Sequence, residues 1–506
     1  MFGLVAAFAL LLALPAPAHA RNFAATVLND GGDYDLTDGV CDADPITPNI
    51  PDPRPGHEGE IIGQCTLRAA IQNANLTPEA DTIELRGSIY ALGVTGAGED
   101  AAVTGDLDIT TEVEILGRGY QQTFIEAKKL KDRIFDVKPG GKLTLTGVAL
   151  KDGKTAKGDF DPGAPGQISG GCIRSAGSLT LREVFFVGCS SGGNGGSLSV
   201  IGDSADVATV IINGTKAKAE GGGIWVGPLG SLTLANSAAG LASAGTGGAI
   251  AARGALDVRY VTLVANKSKT GGAVAVLGGA AGTIAQSTIS SNGSVNVDAS
   301  GGTLALTNTI VWGAKKNDCV GGVSSNGGNL EGGTSCGFTS TNDQQSQNPL
   351  LQPLAFNGGA IPTSALGTGS PAIDHGVDGG DACTSVDERG LLRVDVKDVG
   401  VALADVGAYE AGGVPPQPKL ATPITTATVG QLYQYDADGD SGREACRTYS
   451  LTAAPSGMTI DASGMISWTP SAGQVGPTGN QVLVRVDDAA GASNSQTFTV
   501  TVAPAL

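Results

Sequence analysis

The chain is 506 residues long, with 78 glycines, 4% aromatic residues, 16% charged residues and a formal net charge of −18. So much glycine beside so few aromatics excludes one large globular core and fits an elongated, turn-rich body with an appended domain. The acidity, with no basic run, excludes a nucleic-acid partner and adhesion to anionic lipid, since both need clustered Lys and Arg.

Residues 1–20, MFGLVAAFALLLALPAPAHA, carry an apolar stretch from Leu4 to Leu14 and end on Ala18-His19-Ala20, a small-x-small cleavage pattern. A secretory signal peptide cut before Arg21 is expected. The positive leader usual in such signals is missing, so the true start is expected upstream. No later segment approaches 18 apolar residues, and no transmembrane segment is expected in the mature chain. The eight cysteines all lie in the exported part, where an even count favours disulfides. Cys41 with Cys65, Cys172 with Cys189, and Cys319 with Cys336 would each close a local loop. No CxxC or His-x-x-x-His spacing exists, so a zinc site is not expected.

Residues 21–80 read as an N-terminal cap. In CTLRAAIQNAN, Cys65 to Asn75, Thr66 can cap a helix in which Leu67, Ala70, Ile71 and Ala74 form one apolar stripe. Arg68, Gln72, Asn73 and Asn75 are expected on the polar side. So short a helix needs a surface to pack on, and the open end of a first coil supplies one.

Residues 81–345 repeat. GGCI, GGSL, GGGI, GGAI and GGAV place their second glycine at 171, 196, 222, 248 and 272, in steps of 25, 26, 26 and 24 residues. Between them GKLTL (Gly141), GSLTL (Gly177 and Gly230), GALDV (Gly254) and GTLAL (Gly302) show strand alternation. Strands of about five residues at this period predict an all-β fold built on a right-handed parallel β-helix, a solenoid. Propeller blades need a longer repeat, and the leucine-rich consensus is absent.

Acidic residues are sparse in the repeats: Glu183, Asp203, Asp206, Glu220, Asp257 and Asp298 between Gly171 and Gly302. Asp106 and Asp108 in TGDLDIT are expected to face outward around buried Leu107 and Ile109. Asn213, Asn266 and Asn292 fit the glycosylation pattern but read as left-handed turn residues between coils.

Residues 346–411 lose the glycine period. Their polar cluster, Asp374, His375, Asp378, Asp381, Asp387, Glu388 and Arg389, reads as structural closure, with Arg389 pairing an aspartate; His57 and His375 are the only mature histidines. Residues 412–423, rich in proline, read as a linker. Residues 424–506 alternate at Tyr433 and Tyr435, at Val482, Val484 and Val486, and at Phe498, Val500 and Val502, with Trp468 in the core, predicting a small immunoglobulin-like β-sandwich. Asp436, Asp438 and Asp440 open like an EF-hand but lack its Gly and Glu, having Ser441 and Arg447 there. A looser calcium site with Asp487 or Asp488 is the one metal expectation; no other cofactor is expected.

CTLRAAIQNAN is similar to the CSLREA N-terminal motif of bacterial exported repeat proteins, with Thr66 and Ala69 replacing its usual Ser and Glu, and TGDLDIT resembles that family's first coil. GSPAIDHG, DERGLLR and ADVGAYE together resemble the choice-of-anchor Q domain, a closing element of such β-helices. The segment from Ala421 to Val502 resembles the putative-Ig domains of bacterial surface proteins. The anchor family often carries a Cys just before its last motif, where this chain has Ala404, so Cys383 lacks an evident partner within that region. It either bridges to Cys446 across the linker, the preferred expectation, or both stay free. Related chains commonly end in a sorting segment and this one stops at VTVAPAL, so release is expected over attachment.

The resulting expectation is a secreted, non-catalytic β-helix protein, associated at most with the outer cell surface, that recognises a glycan or cell-surface protein. Parallel β-helices also host polysaccharide lyases and glycoside hydrolases, which use paired carboxylates, or acidic calcium ligands with a basic residue. That enzyme reading and a structural spacer are the alternatives.

Overall fold

The computed structural model describes residues 20–43, 50–51, 61–62, 64–155, 160–161, 167–377, 386–391, 393, 403–412, 420–439, 447–476, 479–488 and 493–505. Most of residues 22–331 form a parallel β-solenoid, and the C-terminal segment forms a separate, mainly antiparallel domain.

The repeating strand of the solenoid is ten residues long and bends in the middle. In Ser178–Val187, Leu179 and Leu181 point inward; Glu183 then takes a φ of 52° and shifts the alternation, so that Val184 and Phe186 point inward next. The same left-handed position recurs in register at Gly147, Thr209, Asn236, Tyr260, Gln286 and Asn308. Each pair of expected five-residue strands is therefore one bent strand serving two faces. Its first half belongs to a ladder running from Asn22–Ala25 and Asp81–Leu85 to Asn317–Ser325, its second half to one running from Ile89–Ala91 to Leu330–Glu331.

A third face stacks three-residue strands, among them Leu107–Ile109, Phe135–Val137, Ile173–Ser175, Leu198–Val200, Ile224–Val226, Ile250–Ala252 and Val274–Val276. The paired glycines lead into it. Gly195 and Gly221 have φ of 60° and 65°, and a Cβ on Gly196 or Gly222 would lie 2.0 or 2.2 Å from the carbonyl oxygen of Gly222 or Gly248 in the next coil. No side chain fits there, which fixes the repeat to one coil.

Between the second and third faces lies a fourth, short row: Ser190–Ser191, Lys216–Ala217, Ser243–Thr246 and Lys267–Thr270. Asn266 and Asn292 beside it are fully buried and do not take the left-handed turn conformation expected of them; Ala265 and Ser291 take it instead. The Asn266 amide donates to Asn292 Oδ1 at 3.0 Å and the Asn292 amide to Leu263 O at 2.9 Å, so they satisfy buried backbone from coil to coil.

The helix, Leu67–Ala74, contacts Asn22–Ala25, Asp81–Leu85, Leu107–Ile109 and Glu112–Leu116. Leu67, Ala70, Ile71 and Ala74 join the solenoid core with Ile83, Leu85 and Leu107. Thr66 Oγ1 accepts from Ala69 N at 3.0 Å. The expected polar face is not solvated. Arg68 and Asn73 are fully buried under the chain around Asp30 and Ala102: Arg68 Nε lies 2.7 Å from Asp30, and its Nη2 donates to Gly105 O at 2.7 Å. Cys41–Cys65 ties the preceding loop to the helix, and Cys172–Cys189 and Cys319–Cys336 close loops farther along.

The described part of residues 346–411 returns along the side of the second face. Glu388 accepts hydrogen bonds from the backbone and hydroxyl of Thr262, Ala408 N donates to Thr288 Oγ1 at 3.1 Å, and Gly407 N donates to Asn308 O at 2.8 Å. Arg389 pairs with Asp387 at 2.6 Å.

In the C-terminal domain a four-stranded sheet (Thr426–Thr428, Arg447–Ala453, Asn480–Asp488, Ser493–Ala503) and a three-stranded sheet (Tyr433–Asp436, Thr459–Ile460, Met465–Trp468) enclose Tyr433, Tyr435, Trp468, Val482, Val484, Phe498 and Val500. Leu420 and Ala421, expected in the linker, pack on this core, so the domain starts before Ile424.

Candidate functional site

The fourth row builds an open lateral groove. Strand register places Lys154, Ser190, Lys216, Ser243 and Lys267 in one column, with Gly192, Lys218, Gly245 and Lys269 two residues on. Alternate residues of a strand face the same way, so both columns share one side. Lys154, Lys216, Lys218 and Lys269 line an open groove of about 790 Å³ whose floor includes Thr155, Ser190, Ala217, Ser243 and Ala244. All five lysines are exposed, and among the described residues none forms an ion pair. Two acids stand two residues from a row lysine: Asp152, exposed beside Lys154, and Glu220, which is held by Arg253 at 2.6 Å and by the Trp225 indole at 2.9 Å. Burial raises the Glu220 pKa, but these hydrogen bonds outweigh it and hold it below the ordinary value. The described lining holds no carboxylate and no histidine.

A second constellation is buried on the third face at the helix end. Register aligns Asp108, Asp136 and Arg174 on successive coils. Asp106 and Asp108, expected to face outward, are 3% and 0% exposed. Asp106 pairs with Arg133 at 2.7 Å, and Arg174 donates to Asp136 at 2.6 and 2.9 Å. Asp100, Asp108 and Asp136 converge closely enough to hold a cation, and the Lys138 ammonium stands among them, 2.6 Å from Asp100 and 2.7 Å from Asp108. Burial pushes Asp108 up to about 6 despite that lysine. It pushes Asp136 up as well, but the Arg174 hydrogen bond and the charges of Arg133 and Lys138 prevail and hold it well below the usual range. Arg133, Lys138 and Arg174 thus occupy the space among these carboxylates in the end coils.

Of the expected calcium ligands, Asp436, Asp438 and Asp487 form no cation-holding group among the described residues. Asp438 is held by the buried Arg447 at 2.7 Å, Asp487 by Arg485 at 2.5 Å, and the Asp436 carboxylate accepts from Asp438 N at 3.0 Å. Asp440, the side chain of Asp488, Cys383, Cys446, Asp378, Asp381, His57 and residues 1–19 lie outside the described residues. His375 is exposed, and no catalytic partner stands beside it among the described residues.

Beneath the segment along the second face, Glu410 contacts Arg393 at 3.2 Å, with Asp405 and Asp387 close by. Burial and the charge of Asp405 push Glu410 up to about 8 against the pull of Arg393, and burial brings Asp405 to about 6. A carboxyl with a raised folded pKa contributes stability that is fully present below its unfolded pKa and lost as pH rises through the folded one. The melting temperature should therefore fall between pH 5 and pH 9, and Glu410→Gln should flatten that fall; an unchanged slope by calorimetry would contradict this assignment.

Residues 415–503 match the family model described as the putative Ig domain. No curated protein and no solved structure matches the chain. No helix among the described residues is long and apolar enough to cross a membrane.

Proposed function

We propose that this chain is an exported, non-catalytic recognition protein of the adhesin type, in which the solenoid presents its fourth row to a glycan or cell-surface partner. The carrying observation is the open groove lined by Lys154, Lys216, Lys218 and Lys269, cations that form no ion pair among the described residues of a chain of net charge −18. Such a groove attracts a complementary surface and focuses it. Paired carboxylates of the kind glycosidases use are not among its described residues. Export is supported by the three disulfides and the leader-like residues 1–20. We read Cys65 to Asn75 as a CSLREA-type cap and residues 346–411 as a choice-of-anchor Q-like region, on the packing of the helix over the first coils and of the second segment along the rod.

Incubating the full chain with acidic and neutral polysaccharides, and following both retention and new reducing or unsaturated ends, tests this reading. Retention without product is expected. Accumulating product would replace it with a lyase or hydrolase; no retention across the panel would replace it with a structural spacer.

A further inference from the structure

We infer that the groove takes a linear acidic glycan lying parallel to the solenoid axis, with one negative charge on every second sugar. This rests on the recognition reading above and adds the ligand's charge, direction and repeat. The register carries it. Along the row the coils alternate: Lys154, then Ser190 and Gly192, then Lys216 and Lys218, then Ser243 and Gly245, then Lys267 and Lys269. Cationic coils thus alternate with coils bearing only a hydroxyl and a glycine. With coils about 4.8 Å apart, cationic rows recur at about 9.6 Å. A pyranose in an extended chain advances by about one coil, so a uronate would meet lysines and its neutral neighbour would meet the hydroxyl and open floor between them.

Other polyanions fit less well. Duplex DNA carries a charge every ~1.7 Å of axis, far denser than these rows, and the surplus acid of the chain repels what the lysines leave unpaired. The described lining offers no Phe, Tyr or Trp for single-stranded bases to stack on. A bilayer is broad and flat, whereas the lysines line a groove along one narrow row.

The test uses the full chain with hyaluronan, which carries one carboxylate per disaccharide, against dextran, single-stranded DNA and phosphatidylserine vesicles. Hyaluronan should bind, and binding should weaken as salt rises through the physiological range. Lys216→Glu, Lys218→Glu and Lys269→Glu together should weaken it by roughly tenfold or more with the melting temperature unchanged, because exposed charges each contribute modestly. Lys128→Glu with Lys129→Glu, on exposed residues outside the groove, should leave it unaltered. Equal retention of dextran lost in the same triple variant would overturn the acidic ligand and leave the recognition reading intact. Preference for DNA or vesicles, or an unaffected triple variant, overturns the inference, and no retention of any probe overturns the recognition reading as well.

Discussion

Ile71→Asp is expected to remove the protein from the soluble fraction, or to lower its melting temperature sharply where soluble protein is recovered. Ile71 is fully buried in the core that the helix shares with Ile83, Leu85 and Leu107. A carboxylate there has no described cation to meet, since Arg68 is already committed to Asp30 and three backbone carbonyls. Burying it uncompensated costs several kcal/mol, about the scale of one end interface in a solenoid whose stability sums over neighbouring coils. Lifting the helix also uncovers the parallel edge of the first coils, a template for association. Light scattering and calorimetry on the purified variant measure both effects. A monomeric variant with an unchanged melting temperature would show that the helix does not seal the rod.

Arg174→Ala should be nearly as damaging without creating an apolar exposure. The guanidinium is buried and makes two hydrogen bonds to Asp136, which is itself buried, and another to Phe160 O at 3.1 Å. Its removal leaves Asp136 to Lys138 and Arg133, both shared with other aspartates, and breaking a buried pair by one partner costs about 3–5 kcal/mol. The pH dependence gives a separate signature. Asp136 has a depressed folded pKa, so it contributes stability above its unfolded pKa that is lost as pH falls through the folded one. The variant should lose stability near neutrality and become less sensitive to acid than the wild type. A loss below about 1 kcal/mol in denaturant unfolding would mean that the neighbouring cations suffice.

Much of the solenoid was legible because its strongest constraint is local. A second glycine that cannot carry a Cβ beneath the next coil has to recur once per turn, and the steps between Gly171 and Gly272 record it. The bent strand was not legible, because Glu183, Thr209 and Tyr260 adopt a left-handed conformation that no residue type announces. The buried polar side of the helix was missed for a related reason: Arg68 looks solvated until Asp30 and the chain around Ala102 fold over it. The lysine row escaped because its cationic coils are separated by 62 residues from Lys154 to Lys216 and 49 from Lys218 to Lys267, and never form a run. KAK at Lys216 to Lys218 and KSK at Lys267 to Lys269 read as ordinary solvated turns. A signal was present, since both place lysines two apart just before a repeat glycine pair, the spacing that turns two side chains to one face.

The most direct measurement is hydrogen exchange on the full chain with and without bound hyaluronan. The expected result is slowed exchange confined to the fourth row, around Lys154, Ser190 to Gly192, Lys216 to Lys218, Ser243 to Gly245 and Lys267 to Lys269. Protection confined instead to the C-terminal domain, with the row unchanged, would contradict the assignment of recognition to the side of the solenoid.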